Sequence, residues 1–406
     1  MTATQHAPAP VPSATPQAPE ESRWTQIRSS ARQFRLGPVL VVLVLVWIFF
    51  TVQNPLFLSP VNLSNLTLQT AVTATIALGL VFVLLLGEID LSVAALSGVA
   101  AAITGSLTIT LGWNPWAACL VGLAVGVAWS LVQAVIVLYG PPSFIVTLAG
   151  SLALGGVLLL CLPQSGQITL AGNPLGSIAG SYLPALGGWG AAIVATLLTL
   201  WFFASRHRSR SAKQLPSSLV RNVVVPVAAV VVLSIAIVLI LNAHRGVPIM
   251  FAILVAIVGL FAYVTTQTRF GVRLYAVGGN REAARRAGIP IGKTILWAFA
   301  FSGFFSALGG IFAASRLLGV SNQSGGGTLL LEAIAAAVIG GTSLFGGKGT
   351  VWSALLGALL IGSISNGMDL LGLPTEAKDI VTGLILVAAT IADVILSRGS
   401  FSWRNK

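Results

Sequence analysis

Twelve apolar runs, each close to the length that crosses a bilayer, constrain this chain more than any other feature. They lie near 36–53, 66–87, 90–110, 115–138, 143–163, 186–204, 221–241, 248–266, 294–315, 328–345, 349–368 and 379–396. A helix needs about 20 predominantly apolar residues to span the hydrocarbon. Barrel strands would show short alternating segments instead, so the runs read as helices. Composition agrees: 56% of the 406 residues are hydrophobic and 8% are charged, about a third of the charge a globular chain carries. Too little polar surface remains to solvate a water-soluble fold of this size. The expected class is all-α, a polytopic transmembrane helical bundle of about 12 spans.

The charge that is present sits between the runs. A net charge of +12 would suit a nucleic-acid binder if it formed one basic domain, but the cations are dispersed among hydrophobic spans. With the N-terminus inside, nineteen Lys and Arg fall in inside segments and three, Arg245, Arg316 and Lys378, fall outside. That asymmetry places both termini and the segments 205–221 and 269–293 in the cytoplasm. Residues 1–35 read as a disordered basic arm and residues 397–406 as a cytoplasmic tail, with one membrane domain over 36–396. A paired error in the span count, one hairpin that does not cross, would be expected at 328–345 or in 143–163. The loop 163–185, rich in Gly, Pro and Ser, reads as turns or a short re-entrant piece. Cys119 and Cys161 lie in apolar runs and, with three scattered histidines, give no metal-ligand spacing.

One long polar passage interrupts the apolar pattern. Residues 269–293 hold six cations, Arg269, Arg273, Arg281, Arg285, Arg286 and Lys293. Their centre predicts a short helix. Asn280 stands at an N-cap position, Gly288 at the left-handed C′ position, and Pro290 just after. Glu282 precedes Arg286 by four residues, the favourable order for a pair, and Ala283, Ala284 and Ala287 give a smooth face. A helix of two turns is marginal alone in water and must dock on something. Residues 287–294 mimic a phosphate-binding loop, but a polar helix and a membrane span flank them where a strand and a soluble helix are needed.

Other polar groups are few. Glu88, Asp90 and Ser92 lie between two apolar runs, where an ionisable group faces a cavity or partner, or marks a tight turn at headgroup level. Thr342 and Ser343 lie in the densest glycine cluster, 340–350, which reads as a broken helix end near a permeation path or as a turn between packed spans. Gln69, Gln133 and Asn366 lie within apolar runs, where such residues bond a solute or a neighbouring helix. These eight are the candidate pathway residues. Three functions fit them: a transporter driven by a docked partner, a proton-coupled secondary transporter using Glu88, Asp90 or Glu332 as a relay, and a channel or purely structural membrane protein. The capped polar helix favours the first, since a secondary transporter needs no such dock.

The segments GEIDLSVAALSG, PPSFIVTLAG, RFGVRLYAVGGNREAARRAGI, LEAIAAAVIGGTSLFGGKGTVW and SNGMDLLG together resemble the membrane subunits of bacterial ABC importers for ribose, xylose, galactose and arabinose. The resemblance implies a core of about ten helices that pairs as a homodimer in the inner membrane. It also implies a separate ATPase that binds the ATP, and a periplasmic or lipid-anchored binding protein that delivers the sugar. The permease itself would be no enzyme and would carry no cofactor. Residues 269–293 would be the cytoplasmic coupling loop, with Arg273, Gly278, Asn280, Glu282, Ala283, Ala284, Arg285 and Gly288 as candidate contacts to the ATPase. Glu88, the extra length around 165–245 with two additional spans, and Gln133 incline the resemblance toward xylose-type members.

Overall fold

The computed structural model describes residues 37–212, 214 and 218–398. The expected arm at 1–35 and most of the tail, 399–406, lie outside the described residues. All twelve apolar runs form helices, and the class is the expected all-α membrane bundle.

In chain order the bundle opens with α1 (Gly37–Gln53), a 3-10 turn (Pro55–Leu58), α2 (Pro60–Leu85), α3 (Val93–Ile109), α4 (Pro115–Leu138) and α5 (Ser143–Cys161). A strand β1 (Gln167–Thr169), a short helix α6 (Pro174–Gly180) and β2 (Tyr182–Leu183) lead into α7 (Ala185–Ala212) and α8 (Val225–Asn242), the latter entered through a π turn at Val220–Val224. Then come β3 (Val247–Pro248), α9 (Ile249–Gln267), α10 (Arg269–Gly279), α11 (Arg281–Arg286), α12 (Ile291–Leu317) and β4 (Gly319–Ser321). The chain closes with α13 (Leu329–Ile339), α14 (Trp352–Leu370) and α15 (Thr375–Arg398). Among the described residues, eight helices are long and apolar enough to cross a membrane, and α1, α3 and α13 are apolar but shorter.

A recurring signature starts these helices. Ser59-Pro60, Asn114-Pro115 and Asn173-Pro174 each put a capping side chain before a proline at the first helical position. The cap oxygen satisfies a free backbone N–H, and the proline has no N–H to waste. Asn114, for example, accepts from Trp116 N at 2.9 Å.

The core is built around α2, whose apolar stretch is almost wholly buried. Phe82 on α2 meets Phe261 on α9 and Phe301 on α12 with ring centroids 5.3 and 5.2 Å apart. Helix α12 crosses α3 and α4 at very close range. A Cβ added at Gly303 would stand 2.2 Å from Gly126 O, and one at Gly310 would stand 2.0 Å from Ser97 O. Small residues at the crossings let backbones touch where no hydrophobic force separates helix from lipid.

The two extra spans behave differently. Helices α7 and α8 pack chiefly on each other and leave most of their surface outside the protein. They form a peripheral hairpin whose base is closed by the antiparallel pairing of Tyr182 with Pro248 and Leu183 with Val247. The loop 163–185 is also structured: Gln167 pairs with Ser321 and Thr169 with Gly319, and α6 seats on the end of α12 through Ala179 N, which donates to Ser315 Oγ at 2.8 Å. The run 143–163 is a full helix. The run 328–345 is not: α13 has 11 residues and stops at Gly340, where the glycine cluster begins.

Candidate functional site

The residues singled out from the sequence gather at two ends of the bundle. One end is a cleft of about 570 Å³ lined by α2, α6, α12 and α14. Its polar wall is made of Asn62, Asn65, Gln69, Arg316, Asn366 and Asp369. Gln69 and Asn366 were expected in a pathway, and the cleft brings them together. Asn62, Asn65, Arg316 and Asp369 were not selected with them. The spacing of Asn62, Asn65 and Gln69 along one helix face carried a signal, because positions three and seven apart share a face. Asn62 fixes the wall by donating to Asn366 Oδ1 at 2.7 Å and to Phe57 O at 2.8 Å. Asp369 takes an ion pair from Lys378.

At the other end of α2 lies the turn 86–92. Asp90 is fully buried here. Its carboxylate accepts from Ser92 N at 2.9 Å, Ser92 Oγ at 2.7 Å and Ser302 Oγ at 2.8 Å. The Gln133 carboxamide lies 3.0 Å from Ser92 Oγ. Ser92 has one proton and Asp90 takes it, so the carboxamide pairs in the orientation that donates from its nitrogen. Helix α5 pins the same turn. Ile89 N donates to Ser143 Oγ at 3.1 Å, and Leu91 N donates to Thr147 Oγ1 at 3.0 Å. Asp90, Ser92 and Gln133 thus form a buried knot joining α3, α4, α5 and α12, away from the cleft lining. Thr342 and Ser343 are buried too, inside the glycine turn after α13. Glu88 points the other way, to Arg281 at 3.0 Å.

The polar passage forms two helices. The predicted caps of α11 are in place: Asn280 accepts from Ala283 N at 2.9 Å and Gly288 takes φ +75°. Glu282 binds Arg286 at 3.2 Å. The sequence did not show that α10 precedes it as a helix in its own right. Arg273, Asn280, Glu282, Ala283, Arg285 and Gly288 are exposed and available to a partner. Two of the expected contact residues are not. Ala284 turns inward and packs in the core. Gly278 is pressed against the end of α2, so that a Cβ there would stand 1.7 Å from Leu85 O and 2.8 Å from Gly347 N. Both hold α10 and α11 to the bundle. Tyr275, unnoticed in the sequence, does the same by donating from its hydroxyl to Gly349 O at 2.9 Å, and burial pushes its phenol pKa up.

A bundle of membrane helices with a polar cleft at one end and a capped, cation-rich helix exposed at the other is built as the membrane component of a transport system. The chain belongs to the family described as the branched-chain amino acid transport system permease component, whose model matches residues 62–390. It is 37% identical over 369 residues to the xylose transport system permease protein of Escherichia coli K12, covering 89% of this chain and 92% of that one. It is 29% identical to the ribose import permease protein of Bacillus subtilis, over 88% and 92% of the two chains. Against the D-allose transport system permease protein of Escherichia coli K12 the identity is 28%, over 90% and 93%. No solved structure matches the chain. It is a multi-pass membrane permease component and not itself an enzyme.

Proposed function

We propose that this chain is the permease of an ATP-driven importer for a neutral monosaccharide, a pentose of the xylose type. The observation that carries the proposal is the 37% identity to a xylose permease over 369 residues. The cleft supports it. A sugar is a ring of hydroxyls that need both donors and acceptors, and Asn62, Asn65, Gln69 and Asn366 supply carboxamides that offer both. Arg316 and Asp369 add a donor fork and an acceptor at the same mouth. The cleft sits beside helix ends away from α11, which suits loading from a binding protein outside. The polar side chains are few, so binding is weak, and a solute that must leave on the other side gains from that.

In this reading a soluble ATPase docks on the exposed face of α11, through Glu282, Ala283 and Arg285 with Arg273 beside it. A second copy of the permease completes the path, and both termini face the cytoplasm. The relay alternative finds no support: Glu88 is ion-paired, Asp90 is held by hydroxyl and amide donors in a buried knot, and Glu332 accepts from Thr328 at the start of α13.

The test is uptake of labelled D-xylose by cells expressing the transport system, with a protonophore present and ATP maintained. Uptake should persist, and affinity purification of the tagged permease in mild detergent should bring down an ATPase. Collapse of uptake with the proton gradient, or a permease that recovers no ATPase, would refute the proposal.

A further inference from the structure

Helix α11 has six residues, and among the described residues its exposed acid, Glu282, pairs with Arg285 and Arg286 in the same turn. Arg281, the first residue of α11, reaches out of the helix. Its Nη1 lies 3.0 Å from Glu88 Oε1. The two partners are unequally placed: the Arg281 side chain is 48% exposed and that of Glu88 is 14% exposed. Glu88 is therefore a largely sheltered acid whose cation comes from the face on which a partner would sit.

Glu88 also belongs to a heavily fastened turn. The residue after it is held by Ser143 and Thr147 of α5. Two residues on, the Asp90 carboxylate is held by Ser302 of α12 and by Ser92, which meets Gln133 of α4. Gly87, just before it, lies against Phe345 and Gly346 of the glycine turn. A displacement of the Glu88 backbone is passed on, because Ile89 is bonded to α5 and Asp90 to α12.

We propose that Glu88 and Arg281 are a positioning pair for coupled transport: the contact delivers movement of α11 into the turn 86–92, and the buried Asp90 knot distributes it to α4, α5 and α12. This rests on reading α11 as the ATPase contact. The pair is suited to the task by its exposure. A surface ion pair is weak because water screens it. A partner that covers α11 removes that water and strengthens the attraction across the same 3.0 Å. The contact stiffens when the partner is engaged and slackens when it is not. Glu88 is thereby assigned to coupling and not to the lining of the sugar path.

The experiment uses the permease co-expressed with its ATPase and binding protein. It compares Glu88→Gln, Glu88→Arg, Arg281→Glu and the double swap Glu88→Arg with Arg281→Glu. Three quantities are read: ATPase recovered with the tagged permease, basal ATP hydrolysis, and its stimulation by binding protein loaded with D-xylose. Each Glu88 variant should retain the ATPase and the basal rate but lose about tenfold in stimulation and in uptake, Arg281→Glu should lose the same stimulation, and the double swap should regain most of it. A merely structural role would lower recovery and basal hydrolysis together. Wild-type stimulation in Glu88→Gln and Arg281→Glu would overturn the pair while leaving the importer reading intact. So would a swap no better than the single variants. A wild-type permease that recovers no ATPase would overturn the importer reading, and the pair with it.

Discussion

Replacing Asp90 separates two roles that a buried carboxylate can play. The side chain is fully buried and receives three hydrogen bonds, from Ser92 N, Ser92 Oγ and Ser302 Oγ. Among the described residues none of its partners is a cation. In Asp90→Ala all three donors lose their acceptor. A buried donor left unmade costs about 1–3 kcal/mol. The two hydroxyls can rotate toward helix carbonyls, so the backbone N–H of Ser92 carries the firm part of the penalty, and the small cavity adds to it. The sum is about 3 kcal/mol, a large share of the 5–15 kcal/mol that holds a typical fold. Asp90→Asn keeps one oxygen for Ser92 and turns an NH₂ toward Ser302 Oγ, which can accept, so its cost is about 1 kcal/mol or less. Thermal unfolding of the tagged, detergent-solubilised chain, followed by size-exclusion fluorescence, should show Asn near wild type and Ala lower by on the order of 5 °C. Asn should also keep most of the uptake. If Asn falls with Ala, or folds normally and fails to transport, the negative charge itself is needed and the hydrogen-bond account of the knot is wrong.

Four further outcomes follow from the same geometry. Gly278→Ala should abolish recovery of folded permease, since its Cβ would stand 1.7 Å from Leu85 O, whereas Gly279→Ala, with nothing within 4 Å, should leave recovery unchanged. Ala284→Trp should lower folded yield because the site is in the core, while Ala283→Trp, on the exposed face, should preserve yield and reduce ATPase recovery. Gln69→Leu and Arg316→Ala should raise the KM for uptake several-fold, at about 1–2 kcal/mol per lost contact, without altering ATPase recovery. A reporter fused after Arg210 should be active only as a cytoplasmic fusion, and periplasmic activity would reverse the assignment of that end of α7.

The helices were legible from the sequence because membrane length and apolarity leave little choice. The caps of α11 were legible because Asn280 and Gly288 are local signals. Burial was not legible. Helices α2 and α7 both carry an apolar stretch long enough to cross a membrane, yet one is the core and the other lies at the rim. Lipid and protein interior are equally apolar, so a buried face leaves no contrast in the sequence. The same reason hid the inward turn of Ala284 and the close seat of Gly278: small residues mark close approach without saying to what. The eight pathway candidates looked equivalent as isolated polar residues. The fold divides them between the cleft, the Asp90 knot, the glycine turn and the contact with Arg281, because hydrogen-bond partners are set by helices distant in the chain.

Helix α12 begins four residues after α11 ends its last turn at Ala287 and finishes at the cleft with Arg316 and Leu317. At 1.5 Å per residue its 27 residues make a rod of about 40 Å. Its middle is fixed where Gly303 and Gly310 touch the backbones of α4 and α3. A rod held around these crossings is a lever with arms of about 23 and 16 Å. A tilt of about 5° there carries the ends about 2 and 1.4 Å in opposite directions, enough to make or break a hydrogen bond. The two ends of this protein are joined mechanically by one uninterrupted beam, and its fulcrum is a pair of absent side chains.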